Sequence, residues 1–393
     1  MVASIDHKRT PVEPDASIKD VKVSRRPRAI FARCKALILY SAYLLQKDYY
    51  IDSVSARPKI MVRVLVIGAT GYIGLELCRS LRRSSHVVYG LARSSEKERE
   101  LAQNEVLPVR GTIGGQEYLK VVEEQNIDVV VDVSSAGLES YQLLGGLQEV
   151  GAERLRRRGG QSPKLGFVYT SGMSTHGDSL TRINDLNPVG LKDDQGTPNQ
   201  PIELMSWRPE MERAIIEARD ILDTMIIRPG FLYGKRSWTW AFWLEPLLKA
   251  SIEEQSQVEI MAESDAVAPM VHVEDAALAL HKAVERLSLV ASSSVYPYFD
   301  VSSTREVLGP IILAAAKAMG FKGEVKFVKP EGALFEALST SLRTDASRMR
   351  DLLGWKPERV TGMLDEIEIY VQSWEAYQLT TKVDPQGEGP QGE

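Results

Sequence analysis

The chain has very little cysteine. Two residues, Cys34 and Cys78, in a length of 393 exclude a disulfide framework and a cysteine-built zinc site. They suit a reducing compartment, read here as cytoplasmic. Histidine is scarce as well, and none of the five is spaced as H-x-x-x-H or H-x-H, so the sequence leads to no expected metal site. A strong charge balance is also missing. The formal net charge of -5 gives no global electrostatic reason to bind nucleic acid, and no such partner is expected. The basic runs "SRRPR" at 24–28 and "RLRRRGG" at 154–160 are local and read as solvated surface. A long apolar run is lacking too. The stretch "AIFARCKALILYSAYLL", 29–45, is interrupted by Arg33 and Lys35, and what remains is too short to span a bilayer. It also lies too deep in the chain for an ordinary secretory signal. It reads either as a loose appendage or as an amphipathic helix docked on the body or on a membrane surface; no firm membrane association is expected. A final absence concerns chemistry: no tyrosine occurs anywhere from 170 to 232.

What is present belongs to a globular protein, with 44% apolar and 26% charged residues. Residues 1–28 are polar and proline-bearing, and residues 1–58 are read as a disordered or loosely attached extension. A dinucleotide-binding domain is expected over 59–235, a smaller substrate lobe interleaved with it over 236–377, and a disordered tail over 378–393. The body opens on "VRVLVIG", an almost continuous apolar run ending in glycine, which marks a strand buried on both faces. Helix follows from Tyr72 to about Arg83. Further strands are expected at 86–93, 106–111, 127–135, 165–172 and 223–234, with helices at 97–105, 116–125, 146–158 and 209–219 between them. This alternation predicts an α/β fold with a doubly wound parallel sheet. Beyond 235 the pattern changes to an aromatic-rich helix at 238–251, then the segments 258–263, 268–285 and 296–303, then helices near 304–319, 330–341, 345–353 and 362–376, with "EVKFV" (324–328) between. This region predicts a smaller α+β lobe over the sheet's carboxyl edge.

"GATGYIG", Gly68 to Gly74, has dinucleotide-loop spacing and sits between a buried strand and a helix. Gly68 allows the tight turn, Gly71 lets the backbone approach a pyrophosphate, and Gly74 lets helix and strand pack closely. The helix N-terminus adds free N–H groups and a positive dipole end. Thr70, Tyr72 and Ile73 belong to the same loop, and Ser134 ends the fourth strand; all four are expected at the cofactor. At the end of the second strand stand Arg93, Ser94 and Ser95, and no carboxylate appears before Glu96. A guanidinium suits a 2′-phosphate, so NADP is expected ahead of NAD, with Arg93 and Ser94 as contacts.

"GATGYIG", "VYTSGMSTHGD", "IIRPGFLYG", "MVHVEDAALAL" and "LLGWKP" occur in the order seen in extended short-chain dehydrogenases/reductases, the group of NAD-dependent epimerases and dehydratases. The resemblance covers about residues 61–376 and implies a Rossmann-like fold. It implies that Arg228, Pro229, Gly230, Tyr233 and Gly234 shape a pocket. It also makes His272, Val273, Asp275 and Ala276 a helix start, with Asp275 as a possible cap and His272 read as structural. The group's catalytic trio is a Ser or Thr after the fifth strand plus the Tyr and Lys of Y-x-x-x-K. Aligned on Gly177 and on "EMERAI", these three slots hold Gly172, Leu204 and Arg208. The usual proton relay is therefore not encoded. Arg208 can hold the nicotinamide ribose but stays protonated. Pro209 biases Arg208 towards an extended conformation and places Trp207 at the cofactor.

Substitutes for the tyrosine are sought among neighbours. Ser171, Ser174 and Thr175 offer hydroxyls, and Glu212 follows Arg208 by one helical turn. His176, in the turn after the fifth strand, is the first choice as proton donor, and Tyr233 is the second. "SWTWAFW", 237–243, reads more readily as core than as pocket; lining a pocket, it would favour an apolar or aromatic substrate. A diphosphate would want cationic anchors, and only Lys235 and Arg236 offer them. Three readings stay open: an atypical NADP-dependent reductase or epimerase/dehydratase-like enzyme on a small-molecule substrate, a non-catalytic NADP-binding regulator like the NmrA-like proteins, and a non-redox lyase or isomerase. Oligomeric state is not encoded legibly.

Overall fold

Seven short segments of the body, four to eight residues long and mostly apolar, become the strands of one central sheet. The structure, a computed structural model, describes residues 61–382 apart from 135, 158, 160–162 and 191–198. The expectations for residues 1–58 and for the end of the tail lie outside the described residues. In chain order the first half comprises β1 (Arg63–Ile67), α1 (Tyr72–Arg83), β2 (Val87–Ala92), α2 (Ser95–Gln103), β3 (Leu107–Arg110), α3 (Glu117–Glu124), β4 (Val129–Asp132), α4 (Glu139–Arg157) and β5 (Leu165–Thr170). Then come β6 (Ser179–Asn184), α5 (Arg208–Glu217), β7 (Leu222–Pro229), β8 (Phe231–Tyr233), α6 (Trp238–Ile252), β9 (Gln257–Met261), β10 (Val267–His272), α7 (Val273–Ala291) and β11 (Tyr298–Val301). The last part holds β12 (Thr304–Val307), α8 (Leu308–Ala318), β13 (Glu324–Val328), α9 (Ala333–Leu338), β14 (Leu342–Asp345), α10 (Ser347–Leu353) and α11 (Ile367–Lys382).

Seven strands form the main sheet in the order β11-β7-β5-β4-β1-β2-β3, all pairs parallel. This is the expected doubly wound sheet, and the strand order reverses between β1 and β4. Open α/β sheets bind ligands at the carboxyl side of such a reversal. One face is covered by α1 and α7, whose Leu77, Leu81, Ala276, Leu280 and Ala283 pack on Val64, Val66 and Val168. The other face is covered by α3, α4 and α5, with Tyr118, Leu143, Leu147 and Met211 against Leu65, Ile67, Phe167 and Tyr169. Three small sheets, β12-β10-β8, β13-β9 and β14-β6, build the second lobe. Its core holds Trp240, Trp243, Leu247, Ile311 and Trp374. The tryptophans of "SWTWAFW" divide accordingly: Trp240 and Trp243 are core, and Trp238 is exposed.

Several expectations need correction. The strand expected over 223–234 ends at Pro229, and the chain turns into β8 of the small sheet. Gly230 makes this possible, because a Cβ there would lie 2.4 Å from the Pro269 carbonyl oxygen. Residues 298–301, read as part of the smaller lobe, instead form the edge strand of the main sheet beside β7. The helix expected to begin at 146 begins at Glu139. Strand β6 was not expected at all; its polar sequence pairs with β14, far along the chain. Arg208 is not extended but opens α5, with Trp207 at the N-cap and already helical. Asp275 does not cap α7: the His272 side chain does so, accepting from the Glu274 amide. Asp275 instead accepts from the amides of Glu358 and Arg359 at 2.7 and 3.1 Å.

Candidate functional site

The glycine loop follows β1 directly and passes straight into α1. Gly68 has φ +81, and a Cβ on it would come within 2.9 Å of the Ser134 Cα. A Cβ on Gly74 would lie 2.0 Å from the Gly68 carbonyl oxygen. The Gly71 amide closes the turn on Gly68 O at 2.9 Å. Gly71 is also the N-cap and provides no side-chain cap. The first amides of α1 are thus left for another acceptor, the arrangement an anion takes at a helix start. Thr70 and Tyr72 are held from the second lobe. Arg236 donates to Thr70 O at 2.9 Å, and the Tyr72 hydroxyl donates to Gly234 O at 2.6 Å. Ile73 packs on the core beneath the loop.

At the other end of the groove Arg93 is exposed. Ser94, expected to touch the cofactor, caps α2 and accepts from the Lys97 amide at 3.3 Å. A residue that sequence reasoning missed stands beside it: Arg110, opposite Ala92 in the β2–β3 register, reaches Ser95 Oγ at 3.2 Å and Glu98 at 3.0 Å. Its place at the end of β3 was the available signal.

Between these ends lies Ser134. Its amide and its hydroxyl both donate to Asp132, at 2.9 and 2.6 Å, and Ser140 adds a third bond at 3.3 Å. Asp132 is a second residue that the motifs did not reveal. Burial raises its pKa above the usual carboxylate range, against the pull of the serine bonds and of the Arg208 charge.

The expected reaction end is built by the end of β5, the 3-10 turn Met173–His176 and the start of α5. Leu204, in the tyrosine slot, is 40% exposed. Gly172, in the hydroxyl slot, is extended and has room: a Cβ there would approach nothing nearer than Ser174 Oγ at 3.4 Å. Ser174 is half-buried. Thr175 is tied to Gly172 O at 2.9 Å. Ser171 continues the β5 ladder through its amide to Ile227 O at 2.8 Å, and its hydroxyl is buried without a partner. Arg208, in the lysine slot, is buried. It donates to Thr170 O at 3.4 Å, contacts Met205 Sδ at 3.2 Å and lies over the Trp207 ring.

The two proton donors favoured from sequence do not stand where they were expected. His176 does not face an open groove; it is fully buried, with Nε2 3.0 Å from an Asp300 oxygen. Arg228 approaches the same nitrogen at 3.4 Å, pairs with Glu212 through two hydrogen bonds, and stacks on Tyr298. Asp300 in turn donates its amide to Asp185, which pairs with Arg348 at 2.8 Å. His176 and Glu212 are therefore members of a buried charge network that ties α5, β7, β11 and α10 together. Tyr233 does not project into a pocket either. It lies in the core of the second lobe, edge-on to His272 and Tyr370, and burial, then the nearby Glu306 and Asp275, push its hydroxyl up to about 12. The cationic anchors considered for a diphosphate are engaged as well. Lys235 bridges Glu76 and Glu274, both at 2.7 Å, and Arg236 holds Thr70 and Tyr377.

One histidine cluster lies elsewhere: His86, His281 and Glu285. The Val62 amide donates to His86 Nδ1 at 3.1 Å, so the neutral ring carries its proton on Nε2, facing Glu285 at 3.6 Å. A metal would need that nitrogen's lone pair. The cluster's donor chemistry fits charge contacts of two Nε2 atoms with one carboxylate, at 3.6 and 3.3 Å, rather than a metal.

Residues 64–143 match the model of the NAD dependent epimerase/dehydratase family. An uncharacterized protein of Schizosaccharomyces pombe is 29% identical over 127 residues, which is 32% of this chain and 43% of the yeast protein. The chain thus spans less than half the length of that curated relative. Among solved structures, UDP-glucuronic acid 4-epimerase from Bacillus cereus in complex with NAD is 17% identical, covering 80% of this chain and 99% of that one, with a TM-score of 0.57. The dTDP-glucose 4,6-dehydratase from Bacillus anthracis, also with NAD, is 14% identical over 81% and 98%, with a TM-score of 0.60. A UDP-glucose 4-epimerase from Thermotoga maritima, with UDP-glucose, is 17% identical over 81% and 100%, with a TM-score of 0.59. At these identities the likeness is one of fold. Among the described residues no helix is long and apolar enough to cross a membrane. Residues 64–143 thus match the NAD dependent epimerase/dehydratase family, and the described body shares the fold of the solved epimerases and dehydratases.

Proposed function

We propose that the chain is a dinucleotide-dependent enzyme of atypical chemistry, acting on a small metabolite without a tyrosine base. The observation that carries the dinucleotide is the loop itself: Gly68 and Gly74 leave no room for a Cβ, and the first amides of α1 have no side-chain cap. Gly68, Thr70, Gly71, Tyr72, Ile73 and Gly74 would hold the phosphates, and Ser134 would border them. Arg93 at the end of β2, with no acidic residue there, favours NADP over NAD. Bound, the dinucleotide would supply hydride exchange. At the far end Arg208 offers a fixed positive charge and Ser171 a hydroxyl, both suited to holding a negatively charged group of the substrate beside the nicotinamide. Neither is a base, so water is assigned as the proton source, and Tyr233 and His176 are assigned to structure. The engaged Lys235 and Arg236 favour a substrate without a diphosphate.

The test is turnover of a panel of small carbonyl compounds with NADPH. We expect NADPH consumption with at least one of them, and a rate for Tyr233→Phe within about twofold of wild type, because loss of a general acid typically costs about 100-fold or more. A rate loss of that size in Tyr233→Phe would restore the tyrosine to the mechanism. NADPH binding without consumption across the panel would support the regulatory reading, which the loss of the Tyr and Ser/Thr residues at their slots also favours.

A further inference from the structure

A guanidinium stays charged in proteins, so a buried one demands an anion. The other buried arginine among the described residues follows this rule, Arg228 with Glu212, and so does the half-buried Arg348 with Asp185. Arg208 does not. It is 7% exposed, and its polar partners among the described residues are the neutral Thr170 carbonyl oxygen and Met205 sulfur. The indole of Trp207 supports one face of the fork. Among the described residues no carboxylate pairs with it. Glu212, one turn further on, is bonded at both oxygens to Arg228. Asp132 senses the charge, but its two oxygens take Ser134 and Ser140.

A second unsatisfied group stands on the same side of the sheet. Phe167 and Tyr169 face the α5 side, in one core with Met211 and Trp207. Strand alternation carries Ser171 to that side, and its buried hydroxyl has no partner. Arg208 reaches Thr170 O, one residue before Ser171, so a cation without a carboxylate and a donor without an acceptor, among the described residues, both stand at the carboxyl edge of β5.

We infer that Arg208 and Ser171 grip an anionic group of the substrate, and that this group is a carboxylate. The planar fork of a guanidinium matches a carboxylate's two oxygens. A phosphate dianion would call for a second cation, and Lys235 and Arg236 are both held elsewhere. The substrate class is therefore a small carboxylic acid. The inference names the substrate of the site proposed above and rests on that reading, although the anion grip itself needs no dinucleotide.

The experiment is isothermal titration of the full chain with oxalate, with its neutral diamide oxamide, and with inorganic phosphate, each with and without NADPH. Wild type, Arg208→Gln, Arg208→Lys and Ser171→Ala are compared, with circular dichroism to verify folding. Oxalate should bind wild type more tightly than phosphate, and oxamide should not bind. Arg208→Gln should weaken oxalate by at least about tenfold, with Arg208→Lys in between. If Arg208→Gln does not fold, the Arg208→Lys and Ser171→Ala series carries the comparison, and no change in either overturns the inference. Equal binding of oxalate and oxamide, or no oxalate binding, overturns it. Phosphate tighter than oxalate overturns the carboxylate assignment. Loss of NADPH rather than oxalate affinity in Arg208→Gln assigns the arginine to the dinucleotide and also overturns it. Oxalate binding by a folded wild type that never binds NADPH would sustain the anion grip and sink the proposed function instead.

Discussion

Replacing Glu212 by Gln should unsettle the body although the side chain keeps its size. Glu212 is 1% and Arg228 3% exposed, and the two are joined by a pair of hydrogen bonds. The substitution leaves the guanidinium buried with one carboxylate fewer, its remaining neighbours being His176, the Tyr298 ring and the more distant Asp300 charge. Breaking one side of a buried ion pair costs about 3–5 kcal/mol. Unfolding entropy is about 2.1 cal/mol/K per residue, or roughly 0.7 kcal/mol/K for a body of this length. The melting temperature should therefore fall by about 4–7 °C, read by circular dichroism on the full chain. The double variant Glu212→Leu, Arg228→Met removes both charges and should recover much of the loss, because an apolar pair of similar volume often matches a buried ion pair. A Glu212→Gln protein melting within about 1 °C of wild type would refute the reasoning, since it would mean that the guanidinium is not dependent on this carboxylate.

Gly172→Ser returns a hydroxyl to the family's slot; with no neighbour nearer than 3.4 Å and extended backbone, it should change stability by no more than about 0.5 kcal/mol in urea unfolding. Burial, only partly opposed by Glu285, lowers His281 from its ordinary value to about 4. The unfolded chain then binds a proton below about pH 6.5 that the folded chain refuses, so stability present above that pH is lost as pH falls towards 4, at up to about 1.4 kcal/mol per unit. Wild type should therefore lose more stability between pH 7 and 5 than His281→Gln does in parallel urea titrations, and identical slopes would contradict the assignment.

The glycine loop was legible because its geometry is local. Gly68 needs a positive φ and Gly74 needs contact with the turn, and both demands act within seven residues. The main sheet was legible for a similar reason, since each buried strand is a short apolar run. Partners far apart in sequence were not. His176 looked like a free turn residue because Asp300, which holds it, lies 124 residues away. Tyr233 was misplaced because the break at Gly230 moves the chain from the main sheet to a small one, and the strand's alternation starts again. Strand β6 carries no apolar signal and depends on β14 for its pairing. For Arg208, no motif could show that it opens a helix and is buried without a carboxylate partner among the described residues.

The central claim, that this fold holds a nicotinamide dinucleotide on its glycine loop, is tested most directly by isothermal titration of NADPH and NADH into the full chain and into Gly74→Ala. The account predicts binding to wild type, NADPH tighter than NADH, and loss of both in Gly74→Ala, where the added Cβ would lie 2.0 Å from the Gly68 oxygen. A folded wild-type protein that binds neither dinucleotide, or a Gly74→Ala protein that binds both as well as wild type, would contradict it.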